Sequence, residues 1–190
     1  MIKITNLTKK FGKKEIFKNF SFETEQKGIT ALFGPSGKGK TTLLRIISGL
    51  DKKHTGNVDL DGIKKISYVF QESRLLNNST ALENVALPNG NTKEAKESAE
   101  YWLTKVGLKD DINTYPEKMS GGMKQRVSIA RAFAYDSDLM LLDEPFNGID
   151  EERVKDIMDM IIDYAKHKKC IIVSHNKEHL DYLNCEIIEI

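Results

Sequence analysis

The sequence has little cysteine, almost no net charge and no long apolar run, and each shortage excludes a class of protein. Cys170 and Cys185 are the only two cysteines, without a CxxC pair or Cys/His clustering around them. A disulfide framework or zinc site is therefore not expected, and the pattern favours a reducing, cytosolic compartment. The formal net charge is +1 over 190 residues. That balance provides no general attraction for nucleic acid or acidic lipid, and no nucleic-acid partner is expected.

The sequence predicts neither a membrane-spanning helix nor a secretion signal. The longest apolar runs, 139–142 and 170–173, fall far short of the roughly 20 residues that a membrane helix needs. The first four residues, Met-Ile-Lys-Ile, lack the apolar segment of a signal peptide. With 39% apolar and 30% charged residues, the composition favours one globular domain. Any action at a membrane is expected to require a partner.

The periodicity predicts an α/β protein with a helical insertion. Alternating Ile2 and Ile4, and then Phe20 and Phe22, predict short antiparallel strands. A hairpin is predicted from 58–60 through an Asp61-Gly62 turn to 63–70. The insertion spans 71–120, with capping-box spacing at 80–83 and Trp102 expected in the core. The remaining expected elements are strands at 29–33, 139–142, 170–173 and, at a sheet edge, 186–190, and helices at 41–50, 120–135 and 151–167, the last capped by Asp150.

A glycine-rich loop between a predicted strand and a predicted helix carries the strongest nucleotide signal. Residues Gly34-Pro35-Ser36-Gly37-Lys38-Gly39-Lys40-Thr41-Thr42 match GxxxxGK[ST], the phosphate-binding loop. Its glycines let backbone N–H groups approach phosphates, and the helix start adds partial positive charge. We expect Lys40 to reach the β- and γ-phosphates, Thr41 to ligate Mg²⁺ and Thr42 to hydrogen-bond phosphate oxygens. A glycine turn that only caps a helix is the alternative.

An acidic pair follows the apolar run 139–142. Because parallel strands present ligands at their carboxyl ends, Asp143 is expected to hold Mg²⁺ through water. Glu144 is expected to polarise the attacking water or take its proton. The alternative, an acidic helix cap, would explain the acidic pair but not its occurrence together with the glycine loop.

A second anion-binding element begins at Ser120-Gly121-Gly122, at the start of a predicted helix. The serine hydroxyl and the first amides of the helix favour an anion. The glycine loop lies elsewhere in the chain, so this element is expected to face outward. A serine N-cap with a glycine turn is the alternative.

Taken in order, these motifs resemble the ATP-binding cassette (ABC) ATPases, the nucleotide-binding subunits of ABC transporters. The resemblance implies a P-loop NTPase with a mostly parallel core sheet, a small antiparallel β subdomain and an inserted helical subdomain. It assigns residues 1–72 and 126–190 to a RecA-like core with the antiparallel subdomain, and 73–125 to the helical subdomain. It covers nearly the whole chain: Phe11, the phosphate loop, Gln71, the signature 119–123, the acidic strand 139–144, the D-loop 147–150 and His175.

The resemblance also implies roles that the residue types alone leave open. Phe11 would stack on adenine, Gln71 would contact Mg²⁺ or the attacking water, and His175 would hydrogen-bond the γ-phosphate. Glu144, Gln71 and His175 then form the catalytic set. A core phenylalanine, a solvated glutamine and an ordinary histidine are the alternatives.

The signature element would act across a dimer. The resemblance implies that Ser120, Gly121 and Gly122 bind the γ-phosphate of ATP held by an opposite subunit, with Asp150 at the dimer seam. A helix cap explains Asp150 as well. Met119, Met123 and the Asn147-Gly148-Ile149-Asp150 loop depart from the commonest family pattern. Met123, with the stretches 69–72 and 83–88, resembles the nitrate/sulfonate/taurine-type importer ATPases.

The leading hypothesis is an ATPase subunit on the cytoplasmic face of the cell membrane. It would pair as a homodimer, or with another cassette, on MgATP and drive separate transmembrane permease subunits; an importer would add a solute-binding protein. The alternatives are an ABC-type switch of a membrane partner without solute transport, a DNA-repair or translation cassette, and a small-molecule kinase. The last does not explain residues 120–131. The chain ends soon after His175, so no regulatory C-terminal domain is expected.

Overall fold

A parallel sheet forms the centre of the computed structural model, which describes residues 1–25 and 27–190. Its five strands are β3 (Gly28–Phe33), β5 (Ile66–Val69), β6 (Leu139–Asp143), β7 (Lys169–Val173) and β8 (Glu186–Glu189). They have the order β5-β6-β7-β3-β8, and the four neighbouring pairs are parallel. The interior strands β6 and β7 are buried along their whole length, as expected for their apolar runs 139–142 and 170–173. The predicted edge position of the last strand is confirmed.

A smaller antiparallel sheet packs against this core and consists of β1 (Ile2–Phe11), β2 (Lys14–Thr24) and β4 (Thr55–Asp59). Its strands have the order β2-β1-β4. Ile4 lies opposite Phe22 on one side and Val58 on the other. The predicted N-terminal antiparallel strands are therefore confirmed and are longer than expected. Their inner face packs with the first helix and the core sheet in one apolar cluster.

The predicted hairpin between 58–60 and 63–70 is wrong. Asp61 and Gly62 do form a turn, both with positive φ, but the strands on its two sides enter different sheets. β4 pairs with β1, whereas β5 pairs in parallel with β6. The Asp138 carboxylate accepts hydrogen bonds from the backbone amides of Lys64 and Lys65, each at 2.9 Å. These bonds hold the chain beside the start of β6.

Six α-helices connect the strands in the part of the chain that the structure describes: α1 (Lys40–Ile47), α2 (Ala81–Ala86), α3 (Lys93–Lys105), α4 (Gly121–Ala134), α5 (Glu151–Ala165) and α6 (Lys177–Leu183). The predicted capping box at Thr80 and Glu83 is present. Ser120 caps α4. Asp150 occupies the N-cap position of α5, but its side chain makes no capping hydrogen bond, so the predicted cap is wrong. Within the described residues, no helix is long and apolar enough to cross a membrane.

The segment between β5 and β6 forms a helical layer of α2, α3 and α4. Arg126 of α4 donates to the carbonyls of Val106 and Gly107 at 2.9 and 3.0 Å, which ties the end of α3 to α4. Trp102 is only partly buried and stacks on Phe133, with ring centroids 4.8 Å apart. It therefore lies at the edge of the core and not in its interior.

Candidate functional site

The glycine-rich loop lies between β3 and α1, where the sequence predicts it. Its backbone has positive φ at Gly34, Gly37 and Gly39. A Cβ on Gly39 would lie 2.4 Å from Cγ2 of Ile16 on β2, and one on Gly34 would lie 2.4 Å from the carbonyl oxygen of Ile190. Close packing therefore requires glycine at both ends of the loop, in addition to any need for phosphate access.

Lys40 begins α1 and folds back over the loop. Its Nζ donates to the carbonyl oxygens of Gly34 and Pro35, at 2.7 and 3.0 Å. In the part of the chain that the structure describes, no carboxylate forms an ion pair with this ammonium. A multiply charged anion in the loop would therefore compete only with neutral carbonyls for Lys40.

Asp143 ends β6 and receives two hydroxyl hydrogen bonds. Thr41 Oγ1 donates to Oδ1 at 3.1 Å, and the Tyr68 hydroxyl donates to Oδ2 at 3.3 Å. The residue is only 2% exposed. Burial raises the pKa of Asp143, and the bonds from Thr41 and Tyr68 oppose that rise.

Glu144 has a backbone conformation that is rare outside glycine. Its φ is +49°, and its amide donates to the Val173 carbonyl at 2.9 Å. Such a conformation costs on the order of 1–3 kcal/mol and persists where the surroundings impose it. The Glu144 side chain lies 2.9 Å, Oε2 to Nδ1, from the largely exposed His175. The ends of β6 and β7 thus place the carboxylate and the imidazole in contact.

These groups surround one cavity of about 370 Å³. Its lining consists of Ile16, Ser36, Gly37, Gly39, Lys40, Thr41, Thr42, Gln71, Asp143, Glu144 and Val173. A smaller cavity of about 120 Å³ adjoins Thr41, Gln71 and Asp143 and is also lined by Arg45. Sequence reasoning missed Ile16, Arg45 and Tyr68, because their contacts with the site arise from packing and have no motif. The predicted glycine loop, Gln71 and the acidic pair meet at one place.

Phe11, Ser120 and Asp150 lie outside this cavity lining. Phe11 is 53% exposed, with the Lys9 ammonium 4.5 Å from its ring centroid. Ser120 accepts a hydrogen bond from the Met123 amide at 3.2 Å. Ser120 and Asp150 are both exposed. A single chain therefore presents the phosphate loop and the signature serine as separate surfaces.

The signature glycines pack against the loop 147–150. A Cβ on Gly122 would lie 2.2 Å from the Gly148 carbonyl oxygen, whereas one on Gly121 would meet nothing within 4 Å. This contact joins the start of α4 to the segment that precedes α5. The exposed Ser120 and Asp150 thus belong to two segments in direct contact.

The oxygen donors beside the phosphate loop fit magnesium. Thr41 Oγ1 and Asp143 Oδ1 already lie 3.1 Å apart, and Gln71 lines the same cavity. Mg²⁺ prefers oxygen ligands and is commonly held by one or two carboxylates together with substrate phosphates and water. The described residues contain no cluster of three His, Cys, Asp or Glu side chains that would form an all-protein cage. The donor set therefore suits a metal that arrives with a nucleotide.

Sequence comparison places these motifs in a known family. The family model described as ABC transporter matches residues 17–147. The chain is 38% identical over 194 residues to the arginine transport ATP-binding protein ArtM of Bacillus subtilis (strain 168), covering 92% of this chain and 81% of the relative. It is 36% identical over 198 residues to the lipoprotein-releasing system ATP-binding protein LolD of Bacteroides thetaiotaomicron, covering 93% and 91%. It is 34% identical over 200 residues to an aliphatic sulfonates import ATP-binding protein SsuB of Bacillus cereus, covering 98% and 80%.

Solved structures agree with the sequence relatives. The fold is similar to the dimeric ATP-binding cassette MJ0796 in a post-hydrolysis state bound to ADP and Pi, with a TM-score of 0.90, 31% identity, and coverage of 100% of this chain and 94% of that chain. The parallel sheet, the antiparallel sheet and the helical layer are thus those of an ABC cassette. This chain belongs to the ATP-binding subunits of the ABC transporter family and is an ATPase.

Proposed function

We propose that this chain binds and hydrolyses MgATP to drive separate transmembrane subunits of a transporter, of the import type. The convergence of Lys40, Thr41, Asp143 and Glu144 on one cavity carries the proposal. Relatives named for arginine transport and aliphatic sulfonate import support the transport role. Relatives with different solutes have comparable identities, so the sulfonate-type subgroup stays a prediction and no solute follows.

In this proposal the chain's own groups perform the binding and the chemistry. The loop amides and Lys40 bind the phosphates. Mg²⁺, when bound at Thr41, Asp143 and Gln71, neutralises charge on the phosphate oxygens. Glu144 orients the attacking water and accepts its proton, while His175 holds the Glu144 carboxylate and contacts the γ-phosphate. The exposed ring of Phe11 stacks on adenine.

The second half of the site comes from a partner cassette, either an identical copy or a related one. Ser120, Gly121 and Gly122 of one chain then bind the γ-phosphate held by the loop of the other, with Asp150 at the seam. The exposure of Ser120 and Asp150 supports this arrangement, as does the dimeric MJ0796 cassette. Residues 73–125 act as the helical subdomain beside the core of 1–72 and 126–190.

This assembly works at the cytoplasmic face of the membrane. The cassettes attach there through the transmembrane subunits, and an importer adds a solute-binding protein on the opposite side. Relatives named as ATP-binding proteins of arginine transport and of aliphatic sulfonate import support an assembly with separate transport subunits.

Replacing Glu144 by glutamine tests the proposal. The Glu144→Gln chain loses the proton acceptor but keeps the size of the side chain, so we expect hydrolysis to fall by roughly 100-fold or more. ATP binding is retained, and an ATP-dependent dimer accumulates. Steady-state phosphate release and size-exclusion chromatography with MgATP measure the two effects.

Glu152→Gln is the matched control, since Glu152 is an exposed residue in the first turn of α5. It should hydrolyse ATP at the rate of the unaltered chain. Full turnover by Glu144→Gln would remove Glu144 from the catalytic role. Absence of Mg²⁺-dependent ATP binding by the unaltered chain would overturn the proposed function as a whole.

A further inference from the structure

Tyr68 contacts both the Asp143 carboxylate and a separate groove. Its hydroxyl donates to Asp143 Oδ2 at 3.3 Å, while its ring stacks on Phe70 with centroids 4.1 Å apart and planes inclined by 13°. The ring also lines a groove of about 390 Å³, together with Ile66, Arg74, Pro88 and Arg131. One half-buried side chain on β5 therefore connects two surfaces of the molecule.

The two oxygens of Asp143 have separate donors. Thr41 bonds Oδ1 and Tyr68 bonds Oδ2. The phenol hydroxyl is the donor in its bond, and the Asp143 carboxylate oxygen is the acceptor. If the Thr41 hydroxyl rotates to bind a metal ion, the Tyr68 hydroxyl still orients the Asp143 carboxylate. Hydrogen bonds of this kind orient metal ligands and tune their affinity.

The ring of Tyr68 also begins a chain of contacts that leads away from the site. The Arg74 guanidinium lies 4.1 Å from the centroid of the Phe70 ring. Arg131 of α4 donates to the carbonyls of Ser73 and Arg74, at 3.0 and 3.1 Å. Asp143 is thereby connected through Tyr68, Phe70 and Arg74 to α4, the helix that Ser120 caps.

We propose that Tyr68 is a positioning residue for ATP hydrolysis, because its hydroxyl orients Asp143 for Mg²⁺. Its ring, stacked on Phe70, couples movement of that carboxylate to movement of the segment 70–74. This inference rests on the proposed function. It differs from a packing role, which the ring alone would fulfil. Removing the hydroxyl while keeping the ring separates the two roles.

Tyr68→Phe is the test, and Tyr164→Phe is the matched control. Tyr164 is also half-buried, and its hydroxyl donates to the Ser137 carbonyl at 2.9 Å, away from the phosphate cavity. Binding of a fluorescent, non-hydrolysable ATP analogue is measured while Mg²⁺ is titrated, and again in EDTA. We expect Tyr68→Phe to need about tenfold more Mg²⁺ for half-saturation, with unchanged affinity in EDTA. Tyr164→Phe should match the unaltered chain in both.

Amide hydrogen exchange tests the second part of the proposal, the coupling between Asp143 and the segment 70–74. In the unaltered chain, Mg²⁺ with the analogue should slow amide exchange at residues 70–74 more than the analogue does in EDTA. Tyr68→Phe should show a smaller difference at saturating Mg²⁺, and the protection that remains is the part that Gln71 contributes directly as a metal ligand. Unchanged Mg²⁺ dependence in Tyr68→Phe, or an equal loss of affinity in EDTA, would overturn the orienting role. Identical protection of 70–74 in both chains would overturn the transmission. An unaltered chain without any Mg²⁺ dependence would instead contradict the proposed function, independently of Tyr68.

Discussion

At the scale of single residues, two charged side chains of the site form hydrogen bonds with neutral groups. The Lys40 ammonium has two neutral carbonyl partners, and the buried Asp143 carboxylate has two hydroxyl donors. Charged groups form their strongest hydrogen bonds with charged partners. Lys40 and Asp143 can therefore form stronger interactions when a phosphate and a magnesium ion replace these neutral partners.

Removing the Lys40 ammonium should weaken nucleotide binding. A hydrogen bond to a charged group contributes about 1.5–3 kcal/mol, so Lys40→Ala should reduce ATP affinity roughly 10- to 100-fold. Titration with a fluorescent ATP analogue measures the change. Lys93→Ala is the control, because Lys93 is also the first residue of a helix, α3, and its side chain is 86% exposed. Equal affinities in the two variants would contradict a phosphate-binding role for Lys40.

At the scale of elements, the start of α4 and the loop 147–150 depend on each other. Gly121 and Gly122 are consecutive helix residues with the same lack of a side chain, but only Gly122 faces a backbone carbonyl. A backbone atom cannot turn aside as the end of a flexible side chain can. The contact therefore determines how the signature serine and the residue Asp150 are presented together.

Gly122→Ala should disrupt the contact between the start of α4 and the loop 147–150. A Cβ 2.2 Å from the Gly148 oxygen must displace backbone, and overpacking of this kind costs about 1–3 kcal/mol. Gly121→Ala should leave stability unchanged or raise it slightly, since alanine is the better helix former. Urea unfolding of both variants provides the comparison. Equal midpoints would show that the loop yields to the methyl group without cost.

At the scale of the whole molecule, the phosphate cavity and the surface around Ser120 lie apart on one chain. Ser120 is exposed and outside the lining of the cavity that Lys40 and Thr41 form. Dimeric cassettes of similar fold are known. Dimerisation on ATP would complete both sites at once.

Ser120→Asp should block that assembly without disturbing the fold. Aspartate is as good an N-cap as serine, so the bond to the Met123 amide can persist, but its negative charge opposes a γ-phosphate. In the Glu144→Gln background we expect the MgATP-dependent dimer to disappear on size-exclusion chromatography, while binding of ATP by the monomer persists. Thr55→Asp, at an exposed position on β4, is the control and should dimerise. Persistence of the dimer in Ser120→Asp would contradict the shared site.

Local pattern was sufficient for most elements and for the core of the site. Apolar runs and capping spacing depend on neighbours within a few residues, so β3, β6, β7 and α4 follow from the sequence alone. The glycine loop and the acidic pair are equally readable, because phosphate and metal chemistry restricts the residue types. The family and its fold followed from the order of these motifs.

Tertiary contacts decided the rest. The strand after Asp61-Gly62 joins β6 and not β4, since Asp138 holds its start, and no local pattern encodes that partner. Tyr68, Arg45 and Ile16 reach the site through packing between distant segments. Sequence by itself predicted which residues would carry the chemistry, because phosphate and metal binding restrict their types within short motifs. Only the folded chain determined which side chains contact them, because those contacts join residues far apart in sequence.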